Sequence, residues 1–110
     1  MGWIGVDLDG TLAHYDGWRG VEHIGEPIGA MLFRVKKWVA DGRDVRIFTA
    51  RVSGPEIEAE LVRKTIQTWC IEHVGIELPI TCSKDYAMIE LWDDRCVQVE
   101  QNTGRRIDGK

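Results

Sequence analysis

The amino-acid sequence predicts an α/β domain built around a mostly parallel β-sheet. Short apolar runs typical of buried strands alternate with longer stretches of helical periodicity. The apolar runs end in polar residues, and a length of 110 residues is typical of one domain. Strand–helix–strand units with right-handed crossovers place their strands in parallel. We therefore expect residues 1–110 to form one domain, with its polar strand ends gathered at one edge of the sheet.

The first half of the chain predicts a strand, a flap, a helix and a second strand. Residues 3–8 (WIGVDL) are an apolar run that ends in acids, which is typical of a buried strand. Residues 12–28 are interrupted by glycines and a proline, which predicts an irregular flap. Residues 30–40 have apolar side chains at helical spacing, and Gly42 fits the position just past a helix end. Residues 44–49 (DVRIFT) predict the second strand.

The second half predicts a longer helix and two further strands. Residues 53–56 (SGPE) match a capping box, with the proline in the first helical turn. Short apolar runs at 78–82 and 89–92 predict strands, and 96–99 is a candidate edge strand. The stripe predicted to be buried on the helix consists of Ile57, Leu61, Ile66, Trp69, Cys70 and Val74.

Composition and charge exclude several classes of protein. A hydrophobic fraction of 44% is ordinary for a globular protein. The net charge of −4 argues against a surface that coats nucleic acid, although a nucleic-acid end is not excluded as a substrate. The three cysteines are Cys70, Cys82 and Cys96, and no two of them have CxxC spacing. We therefore expect these cysteines to be small apolar residues of the core rather than disulfide partners or zinc ligands. Acids within the first ten residues and the lack of a membrane-length apolar run predict a cytoplasmic protein without membrane contact.

Polar residues follow the predicted strands and point to phosphoryl chemistry. Carboxylates that converge on one spot repel each other unless a cation lies between them, and Mg²⁺ prefers such oxygen ligands. A nearby lysine and threonine would bind a further anion, so the set is typical of a phosphoryl site. In this set Asp7 could attack phosphorus and Asp9 could exchange a proton with the leaving oxygen. The set consists of Asp7, Asp9, Thr49, Lys84, Asp93 and Asp94.

The order of these residues resembles the haloacid dehalogenase (HAD) superfamily. The run DLDGTL at residues 7–12 is similar to the first motif of that superfamily, and Thr49 resembles the second. Lys84 resembles the third motif, and the acidic pair at 93–94 resembles the fourth. The resemblance implies a Rossmann-like three-layer sandwich. An acid at position 9 is typical of the phosphatases of this superfamily rather than of its dehalogenases.

The resemblance also implies a role for each acid. Asp7 would be the nucleophile, forming an aspartyl-phosphate, and a ligand of Mg²⁺. Asp9 would be the general acid and base, and its backbone carbonyl would bind the metal. Asp93 would complete the metal shell with help from Asp94, although Asp94 could equally cap a turn or pair with Arg95. The implied activity is a magnesium-dependent phosphohydrolase acting on a phosphomonoester.

The residues expected to contact the substrate lie in the second and third motifs and in the flap. The resemblance implies that Thr49 hydrogen-bonds the transferring phosphoryl group and that Lys84 neutralises its charge. Ala50 and Arg51 follow directly, and Arg51 could reach a phosphate or form a surface salt bridge. Trp18, in the flap, could stack on a base or fold back onto the core.

The spacing of the motifs leaves no room for a separate cap domain. Residues 12–48 and 50–83 hold only the flap, two helices and a strand, which predicts a capless member of the superfamily. An open site would admit large substrates such as a polynucleotide end or a phosphoprotein, or a second copy in a homo-oligomer would supply the lid. Two other functions stay open: a receiver-like signalling domain, whose motif order differs, and a catalytically idle binding module on the same fold.

Overall fold

A computed structural model of the chain describes residues 2–108. Within this range it contains four strands and two α-helices, joined by loops and one short 3-10 turn. The strands are β1 (Trp3–Asp7), β2 (Asp44–Phe48), β3 (Ile80–Thr81) and β4 (Met88–Trp92). The helices are α1 (Gly29–Ala40) and α2 (Glu56–His73), and the 3-10 turn, Ala50–Val52, lies between β2 and α2.

The four strands form one sheet in the order β3-β2-β1-β4, and all neighbours are parallel. β1 lies inside the sheet and pairs with β2 residue for residue, from Trp3 opposite Asp44 to Asp7 opposite Phe48. This architecture confirms the predicted Rossmann-like α/β fold with a parallel central sheet. Because parallel strands end at the same edge, the residues that follow β1, β2 and β4 are brought close together.

The core lies between the sheet and the two helices. Ile4 and Val6 of β1, together with Val45 and Ile47 of β2, belong to the same apolar cluster as the buried residues of α1 and α2. Since β1, β2 and β3 follow one another in one direction across the sheet, right-handed crossovers place both helices on one face. The second outer layer of the predicted sandwich therefore holds no helix within residues 2–108.

The opposite face of the sheet is closed by a polar and aromatic contact. The indole N–H of Trp3 donates a hydrogen bond of 2.8 Å to Asp85, and the Arg46 guanidinium lies 4.6 Å from the Trp3 ring centroid. Asp85 belongs to the connection at 82–87, which leads from β3 back across the sheet to β4. This contact holds the connection against the N-terminal end of β1.

The flap at residues 12–28 is closed at its base. Ala13 forms an antiparallel bridge with Pro27, and the backbone N–H of His14 donates to the carbonyl of Glu26 at 2.8 Å. Leu12 and Ala13 are fully buried, so the root of the flap belongs to the core. The part between residues 14 and 26 lies outside the sheet.

The buried face of α2 differs from the predicted stripe in its first half. Ile66, Trp69 and Cys70 are buried as expected, but Ile57 is 86% exposed. Ala59 and Val62 are buried in its place, and Leu61 is half exposed. The prediction failed because helical periodicity places Ile57 and Leu61 on the opposite side of α2 from Ile66, whereas Ala59 and Val62 lie on the same side as Ile66. No helix in residues 2–108 is long and apolar enough to cross a membrane.

The start of α2 also differs from the prediction of a capping box, which is wrong. Pro55 is the N-cap and makes no side-chain cap hydrogen bond. The Ser53 hydroxyl instead donates to the carbonyl of Ala50 at 2.6 Å, so this serine closes the 3-10 turn. The proline precedes the helix rather than lying within its first turn.

The cysteines occupy different environments, and the prediction that all three are core residues is wrong. Cys70 is buried in α2, and burial raises the pKa of its thiol to about 12. Cys82 and Cys96 are exposed, because both lie in loops at the end of a strand. The candidate edge strand at 96–99 is replaced by an isolated antiparallel bridge between Val99 and Arg106.

Two isoleucines of α2 provide a matched test of this packing. We expect Ile66→Ala to lower the free energy of unfolding by about 2–5 kcal/mol, because the side chain is fully buried. The same change at the exposed Ile57 should cost less than about 0.5 kcal/mol. Urea denaturation followed by circular dichroism measures both values. Equal losses at the two positions would contradict the observed orientation of the helix.

Candidate active site

The carboxyl edge of the sheet opens into a pocket with a volume of about 630 Å³. Its floor comes from the ends of β1, β2 and β4, and its walls include flap residues and the start of α2. All but one of the site residues predicted from the sequence line this pocket. They are Asp7, Asp9, Thr49, Ala50, Arg51, Asp93 and Asp94.

Three carboxylates form an acidic cluster at the centre of the edge. Asp7, Asp93 and Asp94 can each offer an oxygen within 4.8 Å of the others. The Thr11 hydroxyl lies 3.1 Å from an oxygen of Asp7 and 3.2 Å from one of Asp94, and it accepts the backbone N–H of Asp94 at 2.9 Å. Thr11 thus connects the end of β1 to the loop after β4. From the sequence, Thr11 was expected only to shape the loop. Its contact with Asp94 could not be predicted, because the two residues are far apart along the chain.

The acidic cluster changes the protonation of Asp7. The pKa of Asp7 is raised from 3.8 to about 7, chiefly by burial and then by its hydrogen bond with Asp94 and the negative charge of Asp93. Burial and the neighbouring negative charge favour the neutral form of the Asp7 carboxyl group. Hard oxygen donors at this spacing suit a divalent cation such as Mg²⁺, which would remove this repulsion.

Asp9 takes a different partner. Its two carboxylate oxygens accept hydrogen bonds from Nε and Nη2 of Arg51 at 2.7 and 2.8 Å. The Asp9 carboxylate is therefore separate from the acidic cluster, and the predicted binding of metal through its backbone carbonyl stays a prediction. Of the two alternatives for Arg51, a surface salt bridge does not describe this pair, because the Arg51 side chain is only 6% exposed and lines the pocket.

Arg51 also holds the flap. Its Nη2 donates to the carbonyl of His23 at 2.9 Å, and its guanidinium carbon lies 4.9 Å from the Trp18 ring centroid. The remaining nitrogen, Nη1, is buried and has no hydrogen-bond partner among the described residues. A buried guanidinium N–H without an acceptor is costly, and because this atom is buried, an anion in the pocket could bind it only if Arg51 or the flap moved.

Thr49 is buried at the end of β2 and caps the 3-10 turn. Its hydroxyl oxygen accepts the backbone N–H of Arg51 at 3.1 Å. Because that bond uses a lone pair, the hydroxyl hydrogen is left to donate to a ligand in the pocket. This geometry fits the predicted contact with a phosphoryl oxygen.

Lys84 is the predicted site residue that the structure does not bring to the others. It is exposed on the 82–87 connection and is not among the described residues that line the pocket. The reason is topological, because it follows the outer strand β3, two strands away from β1. The catalytic and substrate-binding roles of Lys84 stay predictions. Arg95, which lines the pocket beside the acidic cluster, was considered only as a partner of Asp94.

Comparison with known proteins supports the fold. No family model matches the sequence, and a search of curated proteins finds no match. A solved structure of a conserved protein from Bacteroides thetaiotaomicron is similar, with a TM-score of 0.63 over 87% of this chain and 78% of that chain. The two sequences are 21% identical, so this similarity concerns the fold alone.

The raised pKa of Asp7 predicts how stability depends on pH in the absence of metal. Because the folded state holds this proton up to about pH 7 and the unfolded state releases it near 3.8, the free energy of unfolding should fall as the pH rises between these values. Denaturation in EDTA at several pH values measures the slope. Asp7→Asn should flatten it, whereas Asp41→Asn, at the exposed end of α1, should not. A slope that is unchanged in Asp7→Asn would contradict the prediction.

Gly10 lies against Asp94, so a substitution at Gly10 tests the acidic cluster separately. Its φ is +92°, and a Cβ there would lie 2.6 Å from a carboxylate oxygen of Asp94. If the acidic cluster binds Mg²⁺, Gly10→Ala should displace Asp94 and weaken that binding, which is measured as a smaller rise of Tm with added metal. Gly42→Ala is the control, since its φ is +79° but no atom lies within 4 Å of its Cβ. If both variants keep the wild-type response to Mg²⁺, Asp94 is not part of the metal site.

Proposed function

We propose that the chain is a magnesium-dependent phosphohydrolase of the HAD type, without a cap domain, which cleaves a phosphomonoester through an aspartyl-phosphate. One observation carries the proposal. The acidic cluster of Asp7, Asp93 and Asp94 meets Thr49 and the Asp9–Arg51 pair in one pocket at the carboxyl edge of a parallel sheet. Such a combination of acidic oxygens and anion-binding donors suits phosphoryl transfer.

In this proposal the acidic cluster holds Mg²⁺. The metal would supply positive charge that offsets the phosphoryl oxygens and the three carboxylates. The acidic cluster would bind Mg²⁺ more weakly at low pH. The pKa of Asp7 is raised, and its protonated carboxyl group is a poor metal ligand.

Asp7 is the nucleophile in this proposal. One of its carboxylate oxygens forms a bond to phosphorus while the ester oxygen leaves. Thr11 keeps the carboxylate oriented through the hydrogen bond to Oδ2. Water then attacks the phosphorus of the aspartyl-phosphate, which releases inorganic phosphate and restores Asp7.

In this proposal Asp9 takes a proton from solvent once Arg51 has released it, gives that proton to the leaving oxygen, and later removes one from the attacking water. In the structure both of its oxygens accept hydrogen bonds from Arg51, so Arg51 must release at least one of them before Asp9 can act. An incoming phosphoryl group offers Arg51 an alternative acceptor. Substrate binding would thereby free Asp9 for catalysis.

Thr49 and Arg51 bind the phosphoryl group in this proposal, with the backbone of Ala50 beside them. The Thr49 hydroxyl hydrogen and Nη1 of Arg51 are the donors without an acceptor among the described residues. Lys84 would have to reach inward from its exposed connection to take part. A cytoplasmic location and a lid supplied by a second copy stay predictions of the sequence.

The proposal predicts that Asp7→Asn removes turnover. With a generic aryl phosphate and Mg²⁺, we expect the release of inorganic phosphate to fall by about 10³-fold or more while the protein stays folded, because the amide cannot act as nucleophile. EDTA should abolish wild-type turnover. Asp41→Asn, which changes an exposed carboxylate at the end of α1, should keep the wild-type rate. A near-normal rate in Asp7→Asn would remove Asp7 from its proposed role.

A further inference from the structure

Two aromatic side chains of the flap line the pocket and remain largely open to solvent. Trp18 is 57% exposed and Tyr15 is 48% exposed. Of the two alternatives that the sequence left for Trp18, folding back onto the core does not describe this position. An exposed indole in the wall of a pocket is a candidate contact for a ligand.

The Trp18 ring is held in place from one side. The Arg51 guanidinium lies against it at 4.9 Å, and Arg51 is itself fixed by two hydrogen bonds to Asp9 and one to the His23 carbonyl. An ion pair of 2.7 Å between Arg19 and Asp16 spans the residues on either side of Trp18. Because the residue is more than half exposed, the Trp18 ring keeps open surface on which a planar group could stack.

The Trp18 ring lies close to the carboxylate of Asp9. Arg51 contacts Asp9 with one edge and Trp18 with its face, so a single guanidinium group separates the ring from a catalytic carboxylate. The pocket wall also contains the apolar side chains of Val21, Phe48 and Val62. A volume of about 630 Å³ is within the range of sites for drug-sized ligands and exceeds what a phosphate ester of a small polyol requires.

We propose that the substrate is a nucleoside monophosphate, whose phosphate lies between the acidic cluster and Thr49 and whose base stacks on the exposed surface of Trp18 in the pocket wall. This inference rests on the proposed phosphohydrolase function. A mononucleotide is favoured over a nucleic-acid strand, because the chain carries a net charge of −4 and would repel a strand's further phosphates. A nucleoside monophosphate and an aryl phosphate are both phosphomonoesters that carry a planar ring. The test therefore includes an aryl phosphate to distinguish the two.

The test compares kcat/KM for adenosine 5′-monophosphate, ribose 5-phosphate, phenyl phosphate and a 5′-phosphorylated oligonucleotide, all with Mg²⁺. We expect adenosine 5′-monophosphate to exceed ribose 5-phosphate by about 10- to 100-fold, mainly through a lower KM, as expected for stacking of one base. Trp18→Leu should bring this ratio close to one, and Trp18→Phe should restore most of it. Tyr86→Leu, which alters a fully exposed aromatic residue outside the pocket walls, should keep the wild-type ratio.

The outcomes separate this inference from the proposed function. Equal kcat/KM for adenosine 5′-monophosphate and ribose 5-phosphate, or a ratio unchanged in Trp18→Leu, would overturn the stacking site while hydrolysis stands. A preference for phenyl phosphate or for the oligonucleotide would overturn the mononucleotide assignment. No turnover of any compound would overturn the proposed function and, with it, the substrate. Calorimetric titration of Asp7→Asn with the two ribose compounds tests the stacking site without turnover: adenosine 5′-monophosphate should bind at least about 10-fold more tightly than ribose 5-phosphate, and equal affinities would overturn the stacking site.

Discussion

Mutual repulsion among three carboxylates is the constraint on which the site depends. Asp7, Asp93 and Asp94 are forced within 4.8 Å of one another because β1 and β4 are parallel neighbours that end at the same edge. The fold tolerates this because β1 lies inside the sheet and is fixed by fully buried side chains such as Ile4 and Val6. At Asp7, burial in this arrangement, followed by the hydrogen bond with Asp94 and the charge of Asp93, raises the pKa to about 7.

Arg51 joins the two parts of the pocket that the sheet alone does not hold. Its hydrogen bonds to Asp9 and to the His23 carbonyl, and its contact with Trp18, connect the end of β1 to the flap. A change in the position of this guanidinium would therefore affect Asp9 and the flap together. Nη1 is buried and lacks an acceptor among the described residues, so an anion that bound it would have to move this guanidinium.

The sequence predicted those features that follow from strand ends and failed where the outcome depends on packing. Apolar runs located β1, β2 and β4 to within one residue at each end, and that placed Asp7, Thr49 and Asp93 at one edge. Lys84 was placed there by its order in the chain, but the strand before it has two residues and lies at the outside of the sheet. No local pattern indicated that Arg51 would meet Asp9, because 42 positions separate them in the chain.

The charges around the pocket also suggest an order of binding for the proposed reaction. Carboxylates outnumber guanidinium groups in its walls, since Glu58 lies there with the four aspartates, while Arg51 and Arg95 are the positive groups among the described residues that line it. Arg51 is already paired with Asp9, so little positive charge is left to attract a phosphate dianion. A divalent cation at the acidic cluster would offset most of the negative charge at the point where the phosphoryl group must arrive. The cation is therefore expected to bind before the substrate, and the anion in turn draws Arg51 away from Asp9.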